Sequence, residues 1–153
     1  MHENVRGGMM RIILMIVAMA FGIAAASTQS NPIAARQALM KTNGREGKIG
    51  IDMIRRRIPF DLAKGRTVFA AFLDAANKMP NLFPENSKTG GNTSASPEIW
   101  THMDDFKARF AKFAEESKAA QESVKDLASF EAAFRKVVRN CDGCHEHYRV
   151  RKG

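Results

Sequence analysis

The chain has 153 residues, enough for one domain, and its 24 Lys and Arg against 16 Asp and Glu leave a net charge of +8. Such a surplus can steer association with an anionic partner at low salt, and nucleic acid is the usual first candidate for so basic a chain. The two cysteines fall within one five-residue stretch, which excludes a structural zinc site drawing four ligands from two paired clusters.

Ile12 to Ala26 form an apolar run preceded by Arg6 and Arg11 and closed by Ala24-Ala25-Ala26. A charged start, a short apolar stretch and small residues at the end are the pattern of a secretory signal peptide, here residues 1–26, with the mature domain at 27–153. The run is short for a bilayer, which argues against an uncleaved anchor. Loss of Arg6, Arg11 and Glu3 lowers the net charge from +8 to +7. The expected location is periplasmic, with no membrane attachment after cleavage. An exported chain rarely meets nucleic acid, so no nucleic-acid partner is expected.

The mature chain reads as four helices. Asn31-Pro32 supplies a cap and a first-turn proline for the first, whose face runs Ile33, Gln37, Met40, Gly44, Gly47, Ile51, Ile54 and Ile58 before Pro59 ends it. Gly44 and Gly47 weaken a helix by roughly 1 kcal/mol each relative to alanine, and they make room for a bulky plate or a neighbouring helix. Asp61 caps the second helix, with Leu62, Gly65, Phe69, Phe72, Ala76 and Met79 on one face and Pro80 at its end. Residues 81–96 carry Pro84, Gly90 and Gly91 and read as a long loop of the kind that is commonly functional.

Ser96-Pro97-Glu98 opens the third helix, with Ile99, Met103, Phe106, Phe110, Phe113, Ala120 and Val124 along its face. Asp126 caps the fourth, where Leu127, Phe130, Phe134, Val137, Cys141, Cys144 and Tyr148 repeat at three and four; Arg149, Arg151 and Lys152 suit its C-terminal end. Four amphipathic helices with mostly short connections imply an all-α, antiparallel four-helix bundle. The phenylalanines at helical spacing are expected to be core.

The fourth helix contains Cys141-Asp142-Gly143-Cys144-His145. Cysteines three apart lie on one side of a helix, about one turn from each other, with the imidazole just beyond. In covalent haem attachment the two thiols add across the haem vinyl groups and the histidine supplies a nitrogen to the iron. A thioredoxin-type dithiol would sit in a βαβ pattern, which is missing here, so a thiol–disulfide oxidoreductase is a remote alternative. A disulfide closing so small a loop would constrain little of the unfolded chain. Haem c, one covalent group with its iron, is the expected cofactor.

The chain resembles the class II cytochromes c, the family of cytochrome c′ and its low-spin relative cytochrome c-556. The residues that carry this resemblance are Arg36-Gln37 followed by Met40, Leu82-Phe83-Pro84, Ser87-Lys88-Thr89-Gly90-Gly91, Pro97-Glu98-Ile99-Trp100 and the terminal Cys-x-x-Cys-His-x-x-Tyr-Arg. The resemblance implies thioether bonds at Cys141 and Cys144 and His145 as proximal iron ligand. It also sets Arg36 and Gln37 beside the haem edge, where the arginine could meet a propionate. Arg149, four residues after His145, borders the proximal pocket on the same reading. Surface solvation is the alternative for both arginines. His102, His147 and Arg55-Arg56-Arg57 read as surface residues; family members often pair as homodimers through the first two helices, and the arginine run would lie near such an interface.

Met40 divides the functional expectations. As an iron ligand opposite His145 it would make a six-coordinate carrier of single electrons, since Met/His ligation suits electron transfer. As a space-filling side chain it would leave the sixth position open to NO or CO, as in high-spin cytochrome c′. The expected partners are periplasmic redox proteins in the first case and small gases in the second. Nothing in the chain proposes a substrate, so no catalytic residue is assigned and an enzyme is not expected.

Overall fold

Side-chain caps and prolines set the helix starts in a computed structural model, which describes residues 31–150; the expected leader and residues 151–153 lie outside the described residues. Asn31 Oδ1 accepts from the backbone N–H groups of Ile33 and Ala34 at 3.0 and 3.2 Å, and Pro32 takes the first position of α1 (Pro32–Ile54). Arg56 adopts φ 56°, a left-handed conformation that stops the helix, so Ile58 falls in a turn beyond the helix on which it was expected. Asp61 caps α2 (Leu62–Lys78) by accepting from Lys64 N–H at 2.8 Å. A 3-10 turn over Met79–Leu82 absorbs Pro80, and another covers Glu85–Ser87.

The third helix was expected to run unbroken. Instead it forms one turn, α3 (Glu98–Thr101), and then α4 (Met103–Ser123), parted at His102 with φ −125° and ψ 43°. Local side-chain bonding accompanies the break: His102 Nδ1 lies 3.1 Å from the Glu98 carboxylate and 3.0 Å from the Thr101 hydroxyl. Asp126 and Ser129 then form a reciprocal capping box at the start of α5 (Leu127–Tyr148).

The four long helices make a bundle in which α1 packs on α2, α2 on α4 and α4 on α5, while α1 and α5 meet only sparsely. Phe69, Phe106 and Phe130 are fully buried; tilted ring pairs join Phe69 to Phe130 at 5.3 Å and Phe130 to Phe134 at 5.6 Å, while Phe106 packs edge-on against Phe83, Phe110 and Tyr148. Each such ring stabilises the fold by roughly 1.5–3 kcal/mol through burial. No strand ladder occurs among the described residues; a single antiparallel bridge joins Ala95 to Arg149.

One close approach ties α1 to α5. A Cβ at Gly50 would clash with the ring of Phe134, itself packed against Phe72 and Phe130. The Gly50→Ala variant gains in helix propensity but overpacks this seam, so a net loss of about 1–3 kcal/mol is expected in chemical denaturation. Unchanged stability would mean that the ring moves aside freely.

Candidate functional site

The sparse contact between α1 and α5 leaves a cavity of about 610 Å³, within the range of roughly 300–1,000 Å³ typical of cofactor sites. From α1 it takes Gln37, Met40, Gly44, Gly47 and Ile51, the face read from the sequence as one helical stripe. Phenylalanines from α2, α4 and α5 form apolar wall, and Thr93, Ser94 and Ala95 bring in the loop. Among the described residues four cations line it, Arg36, Lys41, Arg109 and Arg149, and no carboxylate does.

The last turns of α5 put the chemistry on one wall. Cys141 and Cys144 are free thiols, half-buried and facing the cavity. Burial pushes both thiols up, Cys144 to about 11 despite the nearby Arg109 charge, so both stand protonated at neutral pH. His145 lies at the same cavity with part of its ring open to solvent. Partial desolvation and then the Arg149 charge lower its pKa, which keeps a ring nitrogen lone pair available at neutral pH. No cluster of three or more His, Cys, Asp or Glu side chains gathers to hold a bare metal ion among the described residues.

Met40 lines the cavity from α1 and is half-buried. Gln37 also lines it while its Nε2 donates to the carbonyls of Gly91 and Asn92 at 3.2 and 3.4 Å. Arg36, expected at a cofactor edge, is buried and clamps the loop. Nη1 donates to Leu82 O and Ser87 Oγ, both at 3.0 Å, and Nη2 to Ser87 O at 2.8 Å and Thr93 Oγ1 at 2.7 Å. Its guanidinium carbon stands 4.6 Å over the Phe83 ring. Arg149 is exposed at the cavity, and flanking backbone bonds, Ser96 N–H to Tyr148 O at 3.0 Å and Val150 N–H to Ser94 O at 2.9 Å, tie the end of α5 to the loop.

Arg109 went unnoticed in the sequence. From α4 its Nε donates to Asp105 Oδ2 at 2.7 Å and its Nη1 to the Gly143 carbonyl, between the two cysteines, at 3.0 Å. An Asp four residues before an Arg was the available signal, but such pairs are common on helix surfaces.

The residues present fit a covalently held haem. Two free thiols one turn apart and an adjoining imidazole face one cavity, and opposite them Gly44 has no atom within 4 Å of the place its Cβ would take. Side chains are missing where a flat ring needs to approach the α1 backbone.

A family model described as Cytochrome C' matches residues 31–149. The chain is 38% identical over 143 residues to a cytochrome c′ of Rhodopseudomonas palustris, covering 94% of this chain and 98% of that protein. It is 28% identical over 149 residues to a cytochrome c-556 of the same organism, covering 95% and 100%. The solved structure of cytochrome c′ from Rhodopseudomonas palustris aligns with TM-score 0.78 at 40% identity, over 82% of this chain and all of that one, a coverage of 100%.

Proposed function

Because the chain belongs to the cytochrome c′ family and is thereby a c-type haem protein, we propose that it carries single electrons, with haem held by Cys141 and Cys144 and its iron bound by His145. The supporting observation is that a thioether sulfur from α1, Met40, and an imidazole from α5, His145, line the same cavity. When bound, haem iron supplies the ferric–ferrous couple; the protein sets its potential and excludes competing chemistry. Cys141 and Cys144 would hold the group covalently, His145 would bind its iron, and the phenylalanine walls limit water. Met40, by binding the iron as well, would close it to exogenous molecules. This reading assigns no catalytic turnover. The export signal expected at residues 1–26 supports a periplasmic carrier that exchanges electrons with redox partner proteins.

A second reading has its own support. Identity is higher to the relative named cytochrome c′ than to the one named cytochrome c-556, which favours an iron open to NO or CO with Met40 as packing. The ferric optical spectrum separates the two. A methionine-to-iron charge-transfer band, lost in Met40→Ala with a change to a high-spin spectrum and with CO binding by the ferrous form, is the expected result. A high-spin wild-type spectrum with CO binding by the ferrous form assigns the protein to gas binding instead, and no change in Met40→Ala rejects ligation by Met40.

A further inference from the structure

Arg109 is the one cation that reaches from another helix into the cysteine segment by a hydrogen bond among the described contacts, its Nη1 donating to Gly143 O at 3.0 Å. Its guanidinium carbon stands 5.6 Å over the Tyr148 ring, and Tyr148 Oη donates to the same Asp105 oxygen that accepts from Arg109 Nε. The result is a closed ring of contacts, α4 to the middle of the cysteine turn and α4 to the residue three positions beyond His145. Both ends of the turn that presents Cys144 and His145 are therefore gripped by Asp105 and Arg109.

The pair is also oriented. Arg109 lines the cavity, whereas Asp105 does not and is half exposed in its side chain, at 52%. The positive end of the ion pair faces the cavity and the negative end faces water, where solvent screens it more strongly. A cation fixed beside a redox centre in a partly desolvated site favours the more reduced, less positive state. Lys41 and Arg149 line the same cavity but are exposed and make no such bond to the cysteine turn.

We propose that Arg109 is a positioning residue for the haem-bearing turn and, through its oriented ion pair with Asp105, raises the reduction potential of the iron. The proposal rests on the haem reading above and deepens it, since it holds whether Met40 ligates or not. Sequence spacing concealed this role because Gly143 and Tyr148 lie 34 and 39 positions from Arg109.

The test is a potentiometric titration of purified holoprotein carrying Arg109→Gln, Arg109→Lys or Asp105→Asn. Arg109→Gln is expected to shift the ferric–ferrous ratio at fixed potential about three- to tenfold toward ferric, tenfold being about 59 mV for one electron. Asp105→Asn removes the opposing charge and is expected to shift it the other way. Arg109→Lys keeps the charge and is expected to stay nearer the wild type than Arg109→Gln. A merely structural role would loosen the same turn in Arg109→Gln and Asp105→Asn and move both the same way. Shifts of the same sign, or none in either variant, overturn the proposal, and the Asp105→Asn and Arg109→Lys arms decide it if Arg109→Gln fails to fold. Loss of all haem from wild-type protein on acid–acetone extraction would instead reject the underlying haem reading.

Discussion

A Cys141→Ser/Cys144→Ser double variant is expected to release all of its haem into acid–acetone, whereas wild-type protein keeps it with the polypeptide. Serine preserves the size of each side chain but has no sulfur to form a thioether. Each single variant retains one thiol on the cavity wall and is expected to keep a single covalent link. His145 remains in the double variant, so any haem it holds is bound through iron coordination and apolar contact alone. The effect on folding follows from the helix contacts. Because α1 meets α5 only sparsely across the cavity, that seam depends on what fills it. Anything bound to the folded state adds stability by mass action, and a covalent link removes its concentration dependence. Amide exchange in the double variant is therefore expected to accelerate first in α1 near Met40, Gly44 and Gly47, with the α2–α4 core protected longest. Haem that stays with the double variant through extraction would rule out thioether attachment at these cysteines.

The reasons these features are legible in the sequence differ from residue to residue. Asn31, Asp61 and Asp126 mark their helix starts because capping is a local bond between a side chain and amides two or three positions away. The break at His102 was hidden because Ile99, Met103 and Phe106 hold helical spacing across it, and all three pack with the core. Periodicity reports which face is covered, not whether the backbone is continuous. The face of α1 shows the same limit from the other side. Gln37, Met40, Gly44, Gly47 and Ile51 share one stripe, yet spacing cannot distinguish a stripe that meets a helix from one that meets a cavity. Gly50, off that stripe, marks where α1 comes so near the Phe134 ring of α5 that a Cβ would not fit. Arg36 and Arg109 were least legible in their bonding, since, Asp105 aside, their partners lie 34 to 57 positions away and only the fold brings them together.

Arg36→Ala is expected to destabilise the protein by several kcal/mol, because it leaves buried acceptors without the charged donor that satisfies them. The residue is 5% exposed, and its two terminal nitrogens satisfy Leu82 O, Ser87 Oγ, Ser87 O and Thr93 Oγ1. A loop cannot bury backbone carbonyls without partners, and each acceptor left unpaired costs about 1–3 kcal/mol unless water reaches it. Ser87 is 1% exposed, so water reaches it only if the loop opens. The cation over the Phe83 ring is lost as well, and Phe83 in turn packs edge-on against Phe106 and Trp100. Arg36→Lys restores the charge but not the planar fork that serves two carbonyls and two hydroxyls at once, so it is expected to recover only part of the loss. The measurement is chemical denaturation of each variant with amide exchange across residues 82–96. Loss of protection in that segment with a fall in global stability identifies Arg36 as the clamp of the loop over the cavity. A fall below 1 kcal/mol with unchanged exchange would show instead that its main work lies at the haem edge, where the variant's spectrum and potential would carry the effect.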